Sequence, residues 1–264
     1  MKIKPKKSLG QNFLSDKNII KKIVEIEEIK SDSSVLEIGP GTGNLTEFIL
    51  EKNPREFTVI EKDYNLSKLL KEKFNNKIKI LNKDFLNFKL KKISKKKLII
   101  FGNLPYNIST KILTGLVTQN EKFKSFKVLI FMFQKEVADR IIAKTNSKNY
   151  GRLSIITNWR LYVKKEFDVS PNSFFPKPKI DSTIISFLPK KKYFNIKDPK
   201  NLENITKIFF NQRRKMIKNP LKQIFRNPDL IIKKLELDEN LRPQNLSPLK
   251  YLEITKEYED QLVN

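Results

Sequence analysis

Ser34-Val-Leu-Glu-Ile-Gly39 runs straight into Pro40-Gly-Thr-Gly-Asn-Leu-Thr46. The first six residues are short, β-rich and stop at a glycine, and an amphipathic stretch from Leu45 to Lys52 follows. The chain has only 7 glycines, and three of them (Gly39, Gly41 and Gly43) fall inside this one turn. Glycine placed between a strand and a helix lets the backbone turn sharply and a ligand come close to it. The spacing is G-x-G-x-G, tighter than the G-x-G-x-x-G of dinucleotide binders, and suits a nucleoside without a pyrophosphate.

Outward from this turn the same alternation repeats. Strand-like runs at Glu56–Glu61, Ile78–Asp84, Lys97–Asn103 and Val128–Phe133 are separated by stretches such as Asn65–Phe74, where apolar residues recur at helical spacing. Strands apolar on both faces, with helices between them, predict a parallel sheet in an α/β fold. Leu153–Trp159 and Thr183–Leu188 also read as strands. Between them Ser170–Asp181 carries three of the 13 prolines (Pro171, Pro176 and Pro178), which predicts a stiff, extended loop. A lysine run, Lys190–Lys192, then opens helix-like sequence. The expected division is a domain over 1–189 and a small all-helical domain over 190–264. Asn219-Pro, Asn227-Pro and Arg242-Pro should break the latter into three to five short helices.

Composition narrows the chemistry. Cysteine and histidine are both absent, which excludes disulfides, thiolates, imidazole bases and His/Cys metal sites; no metal is expected. Hydrophobic residues at 39% are enough for a packed core. No apolar run reaches the ~18 residues of a membrane helix, and Met1–Gly10 lacks an apolar signal core, so a soluble cytoplasmic protein is expected. The 54 Lys and Arg against 29 Asp and Glu give a formal charge of +25, which points to a polyanionic partner, although the cations are spread along the chain.

Two acids stand at strand ends where a nucleoside needs them. Glu61 ends its run about 20 residues beyond the glycine turn, the place of a ribose-binding carboxylate. Asp84-Phe85 offers an acceptor for an adenine amine beside a ring to pack on it. A fourth run ends in Asn103-Leu-Pro-Tyr106. Open α/β sheets carry their active sites at the carboxyl ends of their strands. An exocyclic adenine nitrogen is a poor nucleophile, and two acceptors aimed at its hydrogens favour the charge it gains in the transition state. The Asn103 side-chain oxygen and the Leu104 carbonyl are the candidates. Pro105 fixes the turn, and Tyr106 offers a ring on which a flipped base can stack.

These segments together resemble the KsgA-type (RsmA) ribosomal RNA adenine dimethyltransferases, whose relatives are the Erm methyltransferases and the mitochondrial transcription factor B proteins. The resemblance rests on Lys7-Ser-Leu-Gly-Gln-Asn-Phe-Leu14, the glycine turn, Glu61, Asp84-Phe85 and Asn103-Leu-Pro-Tyr-Asn-Ile-Ser109. It continues through Phe133-Gln-Lys-Glu-Val-Ala-Asp-Arg140, Phe174-Phe-Pro-Lys-Pro-Lys-Ile-Asp-Ser182 and Phe210-Asn-Gln-Arg-Arg-Lys215. It implies a Rossmann-like S-adenosylmethionine methyltransferase sheet followed by an all-helical RNA-binding domain. Gln11, Asn12 and Leu14 would cover the cofactor; Gly39, Gly41 and Gly43 would hold its methionine part. Glu61, with Lys62 beside it, would take the ribose, and Asp84 with Phe85 the adenine. Asn103 would serve both the cofactor and the target amine, while Tyr106 and Phe174 sandwich the target base. Arg140, Arg213, Arg214 and Lys215 would meet RNA, the last three from a helix. The implied substrate is 16S rRNA in an immature 30S particle, modified at two adjacent adenines by a monomeric enzyme. An Erm-like enzyme of the large subunit, a non-enzymatic assembly or transcription factor, and a DNA adenine methyltransferase are the competing readings.

Overall fold

The computed structural model describes residues 11–90 and 93–262; Lys7 to Gly10 of the first motif lie outside them. The chain divides into two compact units. One runs through Ala138 and resumes over Val163–Pro189, and the other comprises Asp139–Tyr162 together with the residues from Lys190 onward.

The first unit is built on a seven-stranded sheet in the order β4-β3-β2-β5-β6-β9-β7. Its strands are β2 (Ser34–Ile38), β3 (Glu56–Glu61), β4 (Lys79–Asn82), β5 (Leu98–Asn103), β6 (Phe126–Gln134), β7 (Leu161–Val169) and β9 (Ser182–Pro189). β2 pairs in parallel with β3 on one side and β5 on the other, with Glu37 opposite Val59 and Phe101. β3 and β4 are parallel, as are β5 and β6, whereas β9 runs antiparallel to β6. Every residue of β2 is buried, as its two-sided apolar pattern requires. A separate two-stranded sheet pairs β1 (Phe13–Leu14) with β8 (Phe174–Phe175), Phe13 opposite Phe175 and Leu14 opposite Phe174. Neither short strand was legible as one in the sequence.

The helices of this unit start where their caps dictate. α1 (Lys17–Val24) begins after Asp16, whose carboxylate accepts from the Asn18 and Ile19 amides, and it buries Ile20, Ile23 and Val24. α2 (Asn44–Glu51) starts after Gly43, at φ 81°. α3 (Tyr64–Phe74) is capped by the Asp63 carboxylate and ends at Asn75 in the left-handed region. α4 (Tyr106–Thr118) and α5 (Asn120–Phe123) lead into β6, and α6 (Lys135–Ile141) follows it.

Chain order places the site. From β2 the chain moves outward through β3 and β4, then crosses back to put β5 on the other flank of β2. The turns leaving β2 and β5 therefore diverge at the carboxyl ends of two adjacent strands. This is the crevice in which open α/β sheets bind their ligands.

The second unit contains α7 (Arg152–Arg160), α8 (Pro199–Asn211), α9 (Lys218–Ile224), α10 (Pro228–Lys234) and α11 (Pro248–Gln261). Leu202, Ile205, Phe209 and Tyr251 are fully buried in it. The Tyr251 hydroxyl donates to the Pro243 carbonyl at 2.6 Å and the Tyr150 hydroxyl to that of Leu246 at 3.0 Å. Glu259 accepts from the Lys197 and Asp198 amides, both at 2.8 Å, and so fixes the approach to α8.

Two expectations are corrected here. Leu153–Trp159 is not a strand but the body of α7. Its apolar residues, Ile155, Ile156 and Trp159, are buried on several sides and show no clean period. Thr157 and Asn158 return side-chain hydrogen bonds to the helix backbone, at the Leu153 and Ser154 carbonyls. The segment accordingly groups with the second unit, so the sheet unit does not run unbroken to residue 189. Asn219-Pro, in turn, does not break a helix. Pro220 lies in the first turn of α9, where a missing amide costs nothing, and the break precedes it at Gln212–Met216. Pro228 opens α10 behind the Asn227 cap, and Pro243 opens a 3₁₀ turn.

Candidate active site

One cavity receives both motifs. Gln11, Asn12, Leu14, Gly39, Gly41, Glu61, Lys62, Asp84, Phe85, Asn103, Leu104, Pro105 and Tyr106 all line it. A Cβ added to Gly39 would stand 3.9 Å from the Asn103 carbonyl oxygen and 3.9 Å from Pro105 Cδ, so the bare glycine faces the second turn across a gap about one methyl wide.

The glycine turn holds left-handed backbone at Gly39 (φ 67°), Gly41 (φ 59°) and Gly43 (φ 81°), a conformation costly for other residues. The Gly41 amide donates to Glu61 Oε2 at 3.3 Å, and the Asp63 amide to Glu61 Oε1 at 2.8 Å. Glu61 thus braces the turn from the end of β3. Burial is the main reason its carboxyl is held above the usual range. Gly43 does not line the cavity. A Cβ there would meet Phe74 at 2.7 Å and Leu70 at 2.9 Å, so Gly43 serves the packing of α3 against the start of α2.

Glu37 lines the same cavity and was passed over in the sequence as part of a strand. It is 1% exposed, and burial, the largest influence on it, pushes its carboxyl up to about 8. The Thr46 hydroxyl donates to it at 2.6 Å. Charge inside a strand that is otherwise apolar was the signal that could have found it.

On the other wall Asp84 accepts from Lys62 Nζ at 2.8 Å and from the Leu86 amide at 3.0 Å. The lysine beside it is the first reason its carboxyl lies below the usual range. Phe85 is buried, with the Lys122 ammonium 5.3 Å from its ring centre, and Lys122 also donates to the Leu86 carbonyl at 3.2 Å.

The strap over the cavity comes from β1. Asn44 Nδ2 donates to the Leu14 carbonyl at 2.7 Å, Asn103 Nδ2 donates to the Asn12 carbonyl at 3.2 Å, and Phe13 lies against the bare Cα of Gly41. Pro105, at φ −54° and ψ 129°, turns the chain from β5 into α4, so that Tyr106 is the first helical residue.

Phe174 is not brought to this cavity. It is 4% exposed and packed in the hydrophobic core beside Leu14, its cross-strand partner, whereas its neighbour Phe175 is 67% exposed. Among the expected RNA contacts, Arg140 is exposed at the end of α6. Arg213, Arg214 and Lys215 lie in the turn after α8 rather than on a helix, because the helix ends at Asn211. Arg213 Nε donates to Gln244 Oε1 at 3.0 Å and its guanidinium also donates to the Lys148 carbonyl; Arg214 and Lys215 are exposed. Among the described residues no group of three or more His, Cys, Asp or Glu could hold a metal ion, and no helix is long and apolar enough to cross a membrane.

The chain resembles proteins of known activity over nearly its whole length. It is 55% identical over 260 residues, covering 98% of this chain and 99% of the other, to a ribosomal RNA small subunit methyltransferase A of Pelagibacter ubique. It is 44% identical over 258 residues to the protein of that name from Ehrlichia ruminantium, covering 96% of each. Among solved structures, a dimethyladenosine transferase from Plasmodium falciparum superposes with a TM-score of 0.80 at 26% identity, covering 94% of this chain and 98% of that one. The 23S rRNA methyltransferase ErmE shares the fold, with a TM-score of 0.67 at 23% identity over 94% of this chain and 99% of that one. Residues 2–260 match the ribosomal RNA adenine dimethylase family model, and with the glycine turn and the Asn103–Tyr106 turn opening on one cavity, the chain belongs to the ribosomal RNA adenine dimethylases.

Proposed function

We propose that the protein transfers methyl groups from S-adenosylmethionine to N6 of two adjacent adenines in the 3′-terminal hairpin of small-subunit rRNA, giving N6,N6-dimethyladenines in an immature 30S particle. One observation carries the reading. The glycine turn after β2 and the Asn103–Tyr106 turn after β5 line one cavity, and a Cβ added to Gly39 would reach the second turn at 3.9 Å. A nucleoside bound at the first therefore lies beside the acceptors carried by the second.

The residues present suit this cofactor. Glu61, held by backbone amides at the end of β3, keeps acceptor capacity for a ribose hydroxyl. Asp84 and Phe85 supply an acceptor and a ring for adenine, and Gly39 and Gly41 with Glu37 form the wall for the charged amino-acid end. When bound, the cofactor supplies a sulfonium-activated methyl group. The protein's part is then positional and electrostatic. Asn103, its amide nitrogen held by the Asn12 carbonyl, is left with Oδ1 as acceptor for a target amine. The Leu104 carbonyl is the second acceptor, and Tyr106 is the platform for the base. The exposed Arg140, Arg214 and Lys215 set cations against rRNA phosphates.

The choice of small-subunit RNA is supported by the relatives above, which bear that name. The test is a labelled-methyl assay on immature 30S particles with mass mapping of the product. Two adjacent adenines should carry up to four methyls per particle. Label on guanine or cytosine, or on naked large-subunit RNA alone, overturns the proposal.

A further inference from the structure

The Tyr106 hydroxyl and Ser182 Oγ stand 2.9 Å apart, joining residues 76 positions apart in the chain. The two anchors differ in rigidity. Ser182 is fully buried as the first residue of β9 and pairs with Gln134 at the end of β6. The Lys135 amide, donating to the Asp181 carbonyl at 3.0 Å, continues that ladder by one bond. Tyr106 is the opposite case. It stands at the start of α4, behind a proline that contributes no capping side chain, and its side chain borders an open cavity. Without its hydroxyl contact the ring is free to change rotamer, and a stacking surface that moves must be ordered each time a base arrives. Burial raises the phenol further above neutral pH, so its hydroxyl is protonated there with or without the shift.

We propose that Ser182 is a positioning residue for methyl transfer: from the first residue of β9, an interior strand of the sheet, it ties the Tyr106 hydroxyl and thereby sets the plane on which the target adenine stacks. This rests on the reading of Tyr106 as the base platform. It also assigns a task to the last residue of the proline-rich motif, which lies outside the cavity.

The experiment compares Ser182→Ala, Tyr106→Phe and the double variant, with Tyr106→Ala as reference. It measures kcat/KM for methyl transfer to immature 30S, the Kd for S-adenosylhomocysteine, and Tm. A net hydrogen bond of ordinary strength corresponds to about three- to tenfold. Each single variant should lose that much in kcat/KM, and the double variant should lose no more than the worse single, because both delete the same bond. The Kd for S-adenosylhomocysteine should stay within about twofold, since the tether does not touch that end of the cavity. Full activity of Ser182→Ala or of Tyr106→Phe, or losses that multiply in the double variant, overturns the proposal. If Ser182→Ala fails to fold, Tyr106→Phe alone decides, because a serine that only stabilised the sheet would leave that variant fully active. Full activity of Tyr106→Ala would instead remove the platform reading itself.

Discussion

The side-chain amide of Asn103 donates to the backbone carbonyl of Asn12 at 3.2 Å, so the turn after β5 is tied to the segment that leads into β1. That bond decides which end of the Asn103 amide is available as acceptor. Asn103→Ala should lower kcat for RNA methylation by about 100-fold or more, the usual cost of losing one preorganised transition-state partner. S-adenosylhomocysteine, measured by calorimetry, should bind the variant far less impaired than that, because Glu61, Asp84 and Phe85 remain. Equal losses in binding and in rate would show that Asn103 acts on the cofactor alone.

Gly39 and Gly43 separate cavity from packing. Both hold positive φ, but a Cβ at Gly39 has space, whereas one at Gly43 meets Phe74 at 2.7 Å. Gly43→Ala should therefore cost about 1–3 kcal/mol for overpacking on top of the backbone strain the two substitutions share. Denaturant melts should rank Gly43→Ala below Gly39→Ala. The reverse order would mean that the Phe74 ring moves away freely.

Glu37 makes the fold sensitive to pH. Its carboxyl, at about 8 in the fold against 4.5 ordinarily, binds a proton that the unfolded chain releases across that interval. The folded state then holds more protons than the unfolded one. The stability Glu37 contributes is complete below about 4.5 and is lost as pH rises toward 8. Glu37→Gln keeps an acceptor for Thr46 without the charge. Its Tm at pH 8 should exceed that of the wild type by about 2–4 °C for each kcal/mol relieved, and the two should converge near pH 5. Parallel Tm curves for the two proteins across this range would contradict the assignment.

The three cations after α8 should behave differently. Arg214→Ala and Lys215→Ala should each flatten the dependence of log K on log salt for 30S binding by about 0.7–0.9, the share of one phosphate contact. The guanidinium of Arg213 is already engaged by Gln244 and Lys148. Arg213→Ala should chiefly lower Tm. Three equal changes in salt slope, with no change in Tm, would place Arg213 among the phosphate contacts.

Most of the parallel sheet was legible because its strands, buried on both faces, are short apolar runs ending in residues that polar chemistry needs: Gly39, Glu61 and Asn103. The cavity wall followed from the same ends. What was not legible depended on partners distant in sequence. Phe13–Leu14 is too short to show a period, and it is a strand only because Phe174–Phe175 lies opposite. Leu153–Trp159 carries β-formers inside a helix buried on several sides, where tertiary packing overrides propensity. Motif position placed Phe174 at the target base. The pairing with Leu14 directs its ring to the core, a fact about register rather than residue type. Glu37 was hidden by being an acid within an apolar strand, and only its burial reveals it.

The two-residue pairing of β1 with β8 bears on tempo. On the proposed reaction each RNA consumes four cofactor molecules, so spent nucleoside must be exchanged three times before the particle is finished. Asn12, Phe13 and Leu14 border the cavity, held by the Asn44 and Asn103 side chains, by the pairing with β8 and by the bonds of Ser15 and Asp16 to Ser173. The pairing is short, but Leu14 and Phe174 are both buried in the core, so opening it uncovers two core side chains. If the proposed exchange runs past this ribbon, the depth at which those two side chains are buried would set the pace of refuelling.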